Sequence, residues 1–292
     1  MALRLKKLGN TIQEIVGGRA VHPVNYQIGG FGRLPSLDDL VRLRQALAQG
    51  LDDCTLALAT LAGLHVPAFA DIPVRCAVLE PAGDSYFFGS EIRLDDGTRI
   101  PVDDYRTLAG ERAVAHSNAK QSRHGGRPYL VGALARLTLN GDRLTGLARD
   151  AWNRLGPAIP CRNIVMNDIA QAIELVFSVE QSVRLVDEML ADGLADERPV
   201  AYELRAASGA AAVEAPRGIL FHQYEIDAGG RILAADVITP TAQNLAHAEE
   251  QFRAAAEAAA DVPDDELAQR LQIIARAYDP CVSCSVHVMR VR

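Results

Sequence analysis

Residues 279–287 read Asp-Pro-Cys-Val-Ser-Cys-Ser-Val-His and place two thiols, Cys281 and Cys284, three residues apart near the end of the 292-residue sequence. They follow a stretch that predicts a helix from Pro263 to Ala277. A Cys-x-x-Cys step after a helix can point both sulfurs at one ion. Thiolate is a soft ligand suited to nickel, zinc, copper(I) or iron–sulfur centres. Because two ligands do not complete the coordination of a metal ion, further ligands must come from elsewhere.

The cysteine pair alone has several interpretations. It can be half of a zinc site, a redox pair, a disulfide or a chance spacing. The residues around it narrow the choice.

The motif Asp-Pro-Cys-x-x-Cys-x-x-His, followed by only five residues, resembles the C-terminal signature of the large subunit of nickel–iron hydrogenases. The resemblance implies that Cys281 is a terminal nickel ligand and that Cys284 bridges nickel and iron. It also implies that an endopeptidase removes residues 288–292. His287 would then be the last residue, and in the family the terminal His helps to bind magnesium.

A second stretch, Glu-Ala-Pro-Arg-Gly at residues 214–218, resembles the same family. The resemblance implies that Arg217 lies over the open position between nickel and iron, and that Pro216 keeps the backbone close to the diatomic ligands of the iron. A guanidinium stays charged at any working pH and can donate to an iron-bound cyanide. The alternative for Arg217 is an ordinary surface arginine.

A third stretch, Thr-Pro-Thr-Ala-Gln-Asn at residues 239–244, follows at a distance similar to that in the family. Thr241 matches a Ser/Thr position that hydrogen-bonds a second cyanide. The same residues can simply begin a helix, and both interpretations can hold together. The resemblance extends from about residue 10 to residue 287 and includes Gly-Ala-Leu-Ala-Arg at 132–136.

One part of the family pattern is missing. The family binds nickel with four thiolates, two of them from an Arg-x-Cys-Gly-x-Cys motif, and the 292 residues contain no such motif. Cys54, Cys76 and Cys161 each lack a cysteine at i+3. The sequence therefore resembles the C-terminal two thirds of a large subunit. We expect a truncated or split large subunit, with a degenerate relative as the alternative, and we expect the chain to be inactive alone.

Composition excludes several classes of protein. The net charge of −7 argues against a general nucleic-acid partner, and no run of 18 or more apolar residues predicts a membrane span. Five cysteines, an odd count without a dense framework, fit a reducing compartment. We therefore expect a cytoplasmic protein.

The sequence pattern predicts an α+β fold with a core of long helices, built as a single domain over residues 1–292. Strand-rich regions are expected near 73–140 and 199–238, with a hairpin at Asp-Asp-Gly, a strand over 85–90 and a surface loop over 116–127. Apolar periodicity and capping residues predict the helices. These helices cover residues 2–16, 37–64, 163–191, 244–260 and 263–277.

The leading hypothesis is the large-subunit portion of a cytoplasmic nickel–iron hydrogenase, which splits dihydrogen reversibly and passes electrons to an iron–sulfur small subunit. A thiolate or Arg217 would take the proton, and a separate chain would supply the first cysteine pair. The alternative is a metal-free scaffold related to the hydrogenase-like subunit of respiratory complex I, against which Cys281 and Cys284 count. A zinc or redox role for the pair leaves Arg217 and Thr241 unexplained.

Overall fold

The computed structural model describes residues 1–69, 72–83, 85–195 and 197–281. Chain contacts divide the protein into two compact units. The first unit comprises Met1–Leu64, Thr145–Leu155 and Ala172–Leu204. The second comprises His65–Leu144, Gly156–Gln171 and the chain from Arg205 onward. Within the described residues, no helix is both long and apolar enough to cross a membrane.

Helices and strands are both abundant, which confirms the predicted mixture. The described helices are α1 (Ala2–Gly17), α2 (Leu37–Ala62), α3 (Arg106–Ala109), α4 (Ala133–Asn140), α5 (Gly146–Leu155), α6 (Met166–Asp192), α7 (Pro240–Ala258) and α8 (Asp264–Ala277). The described strands are β1 (Tyr26–Gln27), β2 (Gly30–Phe31), β3 (Ala77–Leu79), β4 (Glu91–Leu94), β5 (Arg99–Pro101), β6 (Glu111–Val114), β7 (Ser117–Ser122), β8 (Ala207–Ala215), β9 (Gly218–Ile226) and β10 (Ile232–Ile238).

Long helices dominate the first unit. The Ser36 hydroxyl caps α2 by accepting from the Asp39 N–H at 3.1 Å, a contribution of about 1 kcal/mol. Helix α2 packs closely on α1 at Gly50. A Cβ added to Gly50 would lie only 2.5 Å from Leu8 Cδ2, so a larger residue would not fit without movement. The Glu180 carboxylate of α6 accepts from the first free N–H groups of α5. The five predicted helices are confirmed to within a few residues, except that α7 begins four residues earlier.

Short antiparallel strands and one larger hairpin sheet build the second unit. The small sheet has the order β3-β4-β5, and the predicted hairpin between β4 and β5 is confirmed. The larger sheet has the order β10-β9-β8. Tyr105 stacks on Phe221 of β9 with ring centroids 5.1 Å apart, within an apolar cluster shared by both sheets. Each such buried side chain contributes roughly 1.5–3 kcal/mol, so this cluster stabilises the base of the β8–β9 hairpin.

Two predictions in the strand-rich region are wrong. Residues 85–90 form a turn rather than a strand, because the Ser85 hydroxyl accepts from the Phe88 N–H at 3.0 Å. Residues 116–127 contain β7, which pairs with β6, instead of a surface loop. The strand β7 was not predicted because its sequence is polar. Its residues Gln121 and Ser122 are nevertheless buried, since Gln121 hydrogen-bonds to Glu249 and Ser122 to the Ala109 carbonyl. Helices α4 and α5 were not predicted.

Candidate metal centre

The first part of the candidate site is the tight turn between β8 and β9. Ala215 pairs with Gly218, so only Pro216 and Arg217 form the connection. Gly218 has φ 132°, and an added Cβ there would lie 2.2 Å from Val131 Cγ2. Only glycine fits this position, so the last residue of the Glu-Ala-Pro-Arg-Gly motif allows the turn to pack against the neighbouring chain.

Arg217 connects this turn to the end of α8. Its Nη2 donates to Asp279 Oδ1 at 3.1 Å, its Nε lies 3.0 Å from Oδ2, and its Nε also donates to the Asp279 carbonyl. Asp279 has φ 47°, a left-handed conformation in which the chain leaves the helix two residues before Cys281. Because both side chains are partly exposed, the ion pair contributes at most about 1 kcal/mol. Its main effect is to orient the turn after α8.

Thr241 hydrogen-bonds to the backbone of Cys281, the first residue of the Cys-x-x-Cys segment. It lies in the first turn of α7, where Thr239 is the N-cap and accepts from the Ala242 N–H at 3.3 Å. Thr241 is buried, and its Oγ1 accepts from the backbone N–H of Cys281 at 3.3 Å. The start of α7 therefore initiates a helix and also contacts the candidate site at Cys281.

Asn244 ties the turn at Arg217 to the chain before α4. Its Oδ1 accepts from the Val131 N–H at 2.9 Å, and its Nδ2 donates to the Arg217 carbonyl at 3.3 Å. Asn244 is the last residue of the motif at 239–244, and its role was not predicted from the sequence. A buried amide that serves two chain segments is a positioning device, since both of its polar ends are satisfied.

Asn167 performs a similar role for the end of α8. Its Oδ1 accepts from the Leu134 N–H at 2.9 Å, and its Nδ2 donates to the Ala277 carbonyl at 2.8 Å. Sequence analysis missed this residue. The signal that could have found it is an amide at a buried position on the apolar stripe of α6.

The structure brings three of the predicted site residues together. Cys281 is half-buried and lies against Thr241, while Arg217 contacts the residue two positions before Cys281. Pro216 is exposed beside Arg217 at the tip of the turn. The other two predicted ligands, Cys284 and His287, lie outside the described residues.

An apolar cavity of about 160 Å³ adjoins this region. Thr241 and Pro280 line it together with Tyr278. The Tyr278 hydroxyl lies 2.6 Å from Nδ1 of the fully buried His247, and burial lowers the pKa of His247 to about 4. His247 is therefore neutral at neutral pH. Its Nε2 and the buried Gln251 Nε2 have no hydrogen-bond partner in the part of the chain that the structure describes.

The other cysteines are not poised to bind metal. Burial raises the pKa of Cys54 to about 11 and that of Cys76 to about 12, so both thiols are protonated near neutral pH. Cys161 is buried and its sulfur lies 3.5 Å from the Asn163 carbonyl. Sequence analysis found no cysteine partner for any of them, and they are most simply small buried residues.

The described residues would supply one side of the candidate metal site. Cys281 is disulfide-bonded in this structure, so its sulfur would be a soft ligand only after reduction to the thiolate. Arg217 is held at Asp279, two residues before Cys281, and the Thr241 hydroxyl accepts from the Cys281 backbone N–H. Across residues 1–69, 72–83, 85–195 and 197–281, no group of three or more His, Cys, Asp or Glu side chains could hold a metal. Reduced Cys281 would fit a nickel centre, and the remaining ligands of that centre would have to come from outside the described part of the chain.

This α+β fold and its candidate site define the class of protein, a large subunit of a metal-dependent hydrogenase. The family description "Nickel-dependent hydrogenase" matches residues 89–287. The chain belongs to this family.

Proteins of similar sequence are named as hydrogenase subunits. The chain is 37% identical over 292 residues to sulfhydrogenase 1 subunit alpha of Pyrococcus furiosus, covering 100% of this chain and 68% of that protein. It is 33% identical to sulfhydrogenase 2 subunit alpha of the same organism, covering 99% of this chain and 67% of that protein. The chain thus spans about two thirds of the length of these relatives. They are named as subunits of hydrogenases, and a metal-free scaffold is not favoured.

Solved structures agree with the fold. A crystal structure of an NAD⁺-reducing nickel–iron hydrogenase in the hydrogen-reduced state matches with a TM-score of 0.84 and 24% identity, covering 96% of this chain and 67% of that chain. A nickel–iron–selenium hydrogenase of Dm. baculatum matches with a TM-score of 0.68 and 20% identity, covering 98% and 68%. The predicted α+β fold like that of hydrogenase large subunits is confirmed.

Proposed function

We propose that this chain forms part of the catalytic subunit of a nickel–iron hydrogenase that oxidises dihydrogen reversibly, and that Cys281 and Cys284 bind the nickel–iron centre. The observation that carries the proposal is the convergence of Arg217 and Thr241 on the segment from Asp279 to Cys281. Three separate parts of the chain meet where the soft ligand lies. A surface arginine or a simple helix start would not require this convergence.

The nickel–iron centre, when bound, supplies a Lewis acid that polarises dihydrogen. In this proposal the iron carries carbon monoxide and cyanide ligands. Arg217 provides charge-assisted N–H donors and a positive field beside one such ligand, with Pro216 keeping the backbone close. The Thr241 hydroxyl, which accepts from the Cys281 N–H, can donate its own proton to a second anionic ligand.

The proton released from dihydrogen needs a base on this chain. A guanidinium cannot take it while fully charged, so Arg217 orients and stabilises rather than accepts. Of the two proton acceptors considered from the sequence, a thiolate and Arg217, the thiolates of reduced Cys281 and Cys284 are therefore the ones we propose.

The proposed assembly extends beyond the 292 residues. The absent Arg-x-Cys-Gly-x-Cys motif would come from further polypeptide, either of the same protein or of a separate chain. An iron–sulfur small subunit would accept electrons in the cytoplasm. A maturation endopeptidase would cut after His287, which would then help to bind magnesium, and an intact mass that retains residues 288–292 in the active enzyme would contradict this step.

Elemental analysis of the complex purified gently from its host tests the proposal. We expect nickel and iron near one each per chain, together with hydrogen-dependent reduction of a dye. Cys284→Ser should abolish nickel retention, whereas Cys161→Ser, which alters a buried thiol outside the proposed ligand set, should keep it. Full nickel content in the Cys284→Ser complex would rule out the assigned ligand, and a wild-type complex without nickel or hydrogen turnover would rule out the function.

A further inference from the structure

Arg136 is a fully buried arginine that contacts the chain just before Arg217. It lies in the first turn of α4 and has a relative exposure of 0%. Its Nη1 donates to Glu214 Oε2 at 2.7 Å and to the Ala215 carbonyl at 2.9 Å, and its Nη2 donates to the Pro216 carbonyl at 3.0 Å. One side chain therefore binds three consecutive residues that lead into Arg217.

Glu214 is the anionic partner in this contact. Its second oxygen, Oε1, accepts from the Leu79 N–H of β3 at 2.8 Å, so both carboxylate oxygens are engaged. Glu214 is also buried, with 6% exposure. A buried ion pair contributes little net stability compared with apolar side chains of the same volume, although breaking it is costly. Stability alone therefore does not explain why charged residues occupy this place.

The geometry of the guanidinium gives a better explanation. Its planar fork can donate to a carboxylate and to two successive carbonyls at fixed angles, which a lysine ammonium cannot do. Pro216 lies in the turn, outside the strand pairing, and Arg136 Nη2 supplies a donor to its carbonyl. Arg136 thus sets the orientation of the peptide groups on either side of Ala215 and Pro216.

The rest of the turn leaves little room for adjustment. Gly132, the residue before α4, has φ 111°, and an added Cβ would lie 2.8 Å from the Arg217 carbonyl. Asn244 donates to that same carbonyl. The turn is therefore held on one side by the start of α4 and on the other by α7, and Arg136 binds the three residues that precede Arg217.

We propose that Arg136, with Glu214, is a positioning residue that sets the placement of the Arg217 guanidinium. Its part in hydrogen turnover rests on the proposed function. Its part in ordering the turn does not, because it follows from contacts within this chain.

The test compares Arg136→Met and Arg136→Lys with Arg93→Met in the full chain, purified with its co-purifying subunits. Arg93 is a matched control, since its Nη2 also donates to α4, at the Leu139 carbonyl at 2.9 Å, but it pairs with Glu80 rather than with residues 214–216. We expect hydrogen–deuterium exchange in the peptide 214–219 to rise about tenfold or more in both Arg136 variants and to stay unchanged in Arg93→Met.

Measurements of hydrogen turnover and infrared spectra then show whether Arg136 positions Arg217 or only stabilises the fold. In the loaded enzyme, Arg136→Lys should retain folding but lose turnover on the order of 100-fold, because a displaced donor is misaligned. The infrared bands of the iron's diatomic ligands should shift in this variant. Arg93→Met should lower the melting temperature and leave these bands in place.

Each outcome decides the inference. If exchange at 214–219 is the same in Arg136→Lys and in wild type, Arg136 does not order the turn and the inference is wrong. If Arg136→Met fails to fold, Arg136→Lys still carries the comparison. If the wild-type complex contains no nickel and turns over no hydrogen, the proposed function fails, while the exchange data still decide the role of Arg136.

Discussion

The backbone N–H of Cys281 donates to Thr241 Oγ1 at 3.3 Å, across 40 residues of sequence. This bond joins the first turn of α7 to the start of the cysteine segment. Because the hydroxyl is buried and accepts from the backbone, it constrains where the Cys281 side chain begins. The placement of Cys281 thus depends on a helix that begins 41 residues earlier in the sequence, at Pro240.

Thr241→Val removes this acceptor while keeping the shape of the side chain. The Cys281 N–H then loses its partner, and we expect a loss of stability of about 1–3 kcal/mol and a lower nickel content. Thr241→Ser keeps the hydroxyl and should retain nickel. Thermal unfolding and metal analysis of both variants check this, and equal nickel content in the Val and Ser variants would show that the bond is not needed.

Asp279 should tolerate asparagine far better than valine. Its φ of 47° is accessible to Asn at little cost, whereas a β-branched side chain is strained there by about 1–3 kcal/mol. Asp279→Asn also keeps an oxygen acceptor for Arg217 Nη2 but removes the charge. We expect Asp279→Asn to unfold near the wild-type temperature and Asp279→Val to unfold clearly below it. The reverse order in calorimetry would contradict the assigned backbone conformation.

Gly218→Ala should destabilise the protein more than Gly97→Ala. Both glycines have positive φ, 132° and 84° respectively, so both substitutions introduce backbone strain. At Gly97 an added Cβ meets nothing within 4 Å, whereas at Gly218 it would lie 2.2 Å from Val131 Cγ2. Strain alone costs about 1 kcal/mol, and overpacking adds roughly 1–3 kcal/mol at Gly218. Chemical denaturation measures the difference, and equal losses would refute the close approach.

The buried His247 predicts a particular loss of stability in acid. Its pKa in the folded state is about 4, below the unfolded value of about 6.5, so the unfolded state binds the extra proton first. Stability is therefore fully present above pH 6.5 and falls by about 3 kcal/mol as the pH drops through 4. His247→Gln should flatten the stability profile between these values. A profile unchanged by His247→Gln would disprove this assignment.

The 292 residues purified alone should not reduce dyes with hydrogen. Four thiolates are expected at nickel in this family, and the sequence has only one Cys-x-x-Cys pair. Adding the co-purifying polypeptides should restore activity together with nickel binding. Hydrogen-dependent dye reduction by the isolated chain would overturn the proposed need for a second cysteine pair.

Local signals predicted much of this structure. The apolar period of α1 and α6 and the cap at Ser36 are properties of neighbouring residues, so these three helices could be placed to within a few positions. The start of α7 at Pro240 was predicted four residues too late. The Asp-Asp-Gly turn predicted the β4–β5 hairpin for the same reason. The polar strand β7 escaped prediction, because its burial depends on α7 and on partners far along the chain.

The motifs in the amino-acid sequence were by themselves sufficient to indicate the family and to select Pro216, Arg217, Thr241 and the terminal cysteines as candidates. Only the tertiary structure decided how the described candidates are held. Arg217 meets Asp279 across 62 residues, Asn167 meets Ala277 across 110, and Arg136 meets Glu214 across 78. Such contacts depend on which buried donors and acceptors satisfy one another once the chain is packed, and no local pattern contains that information.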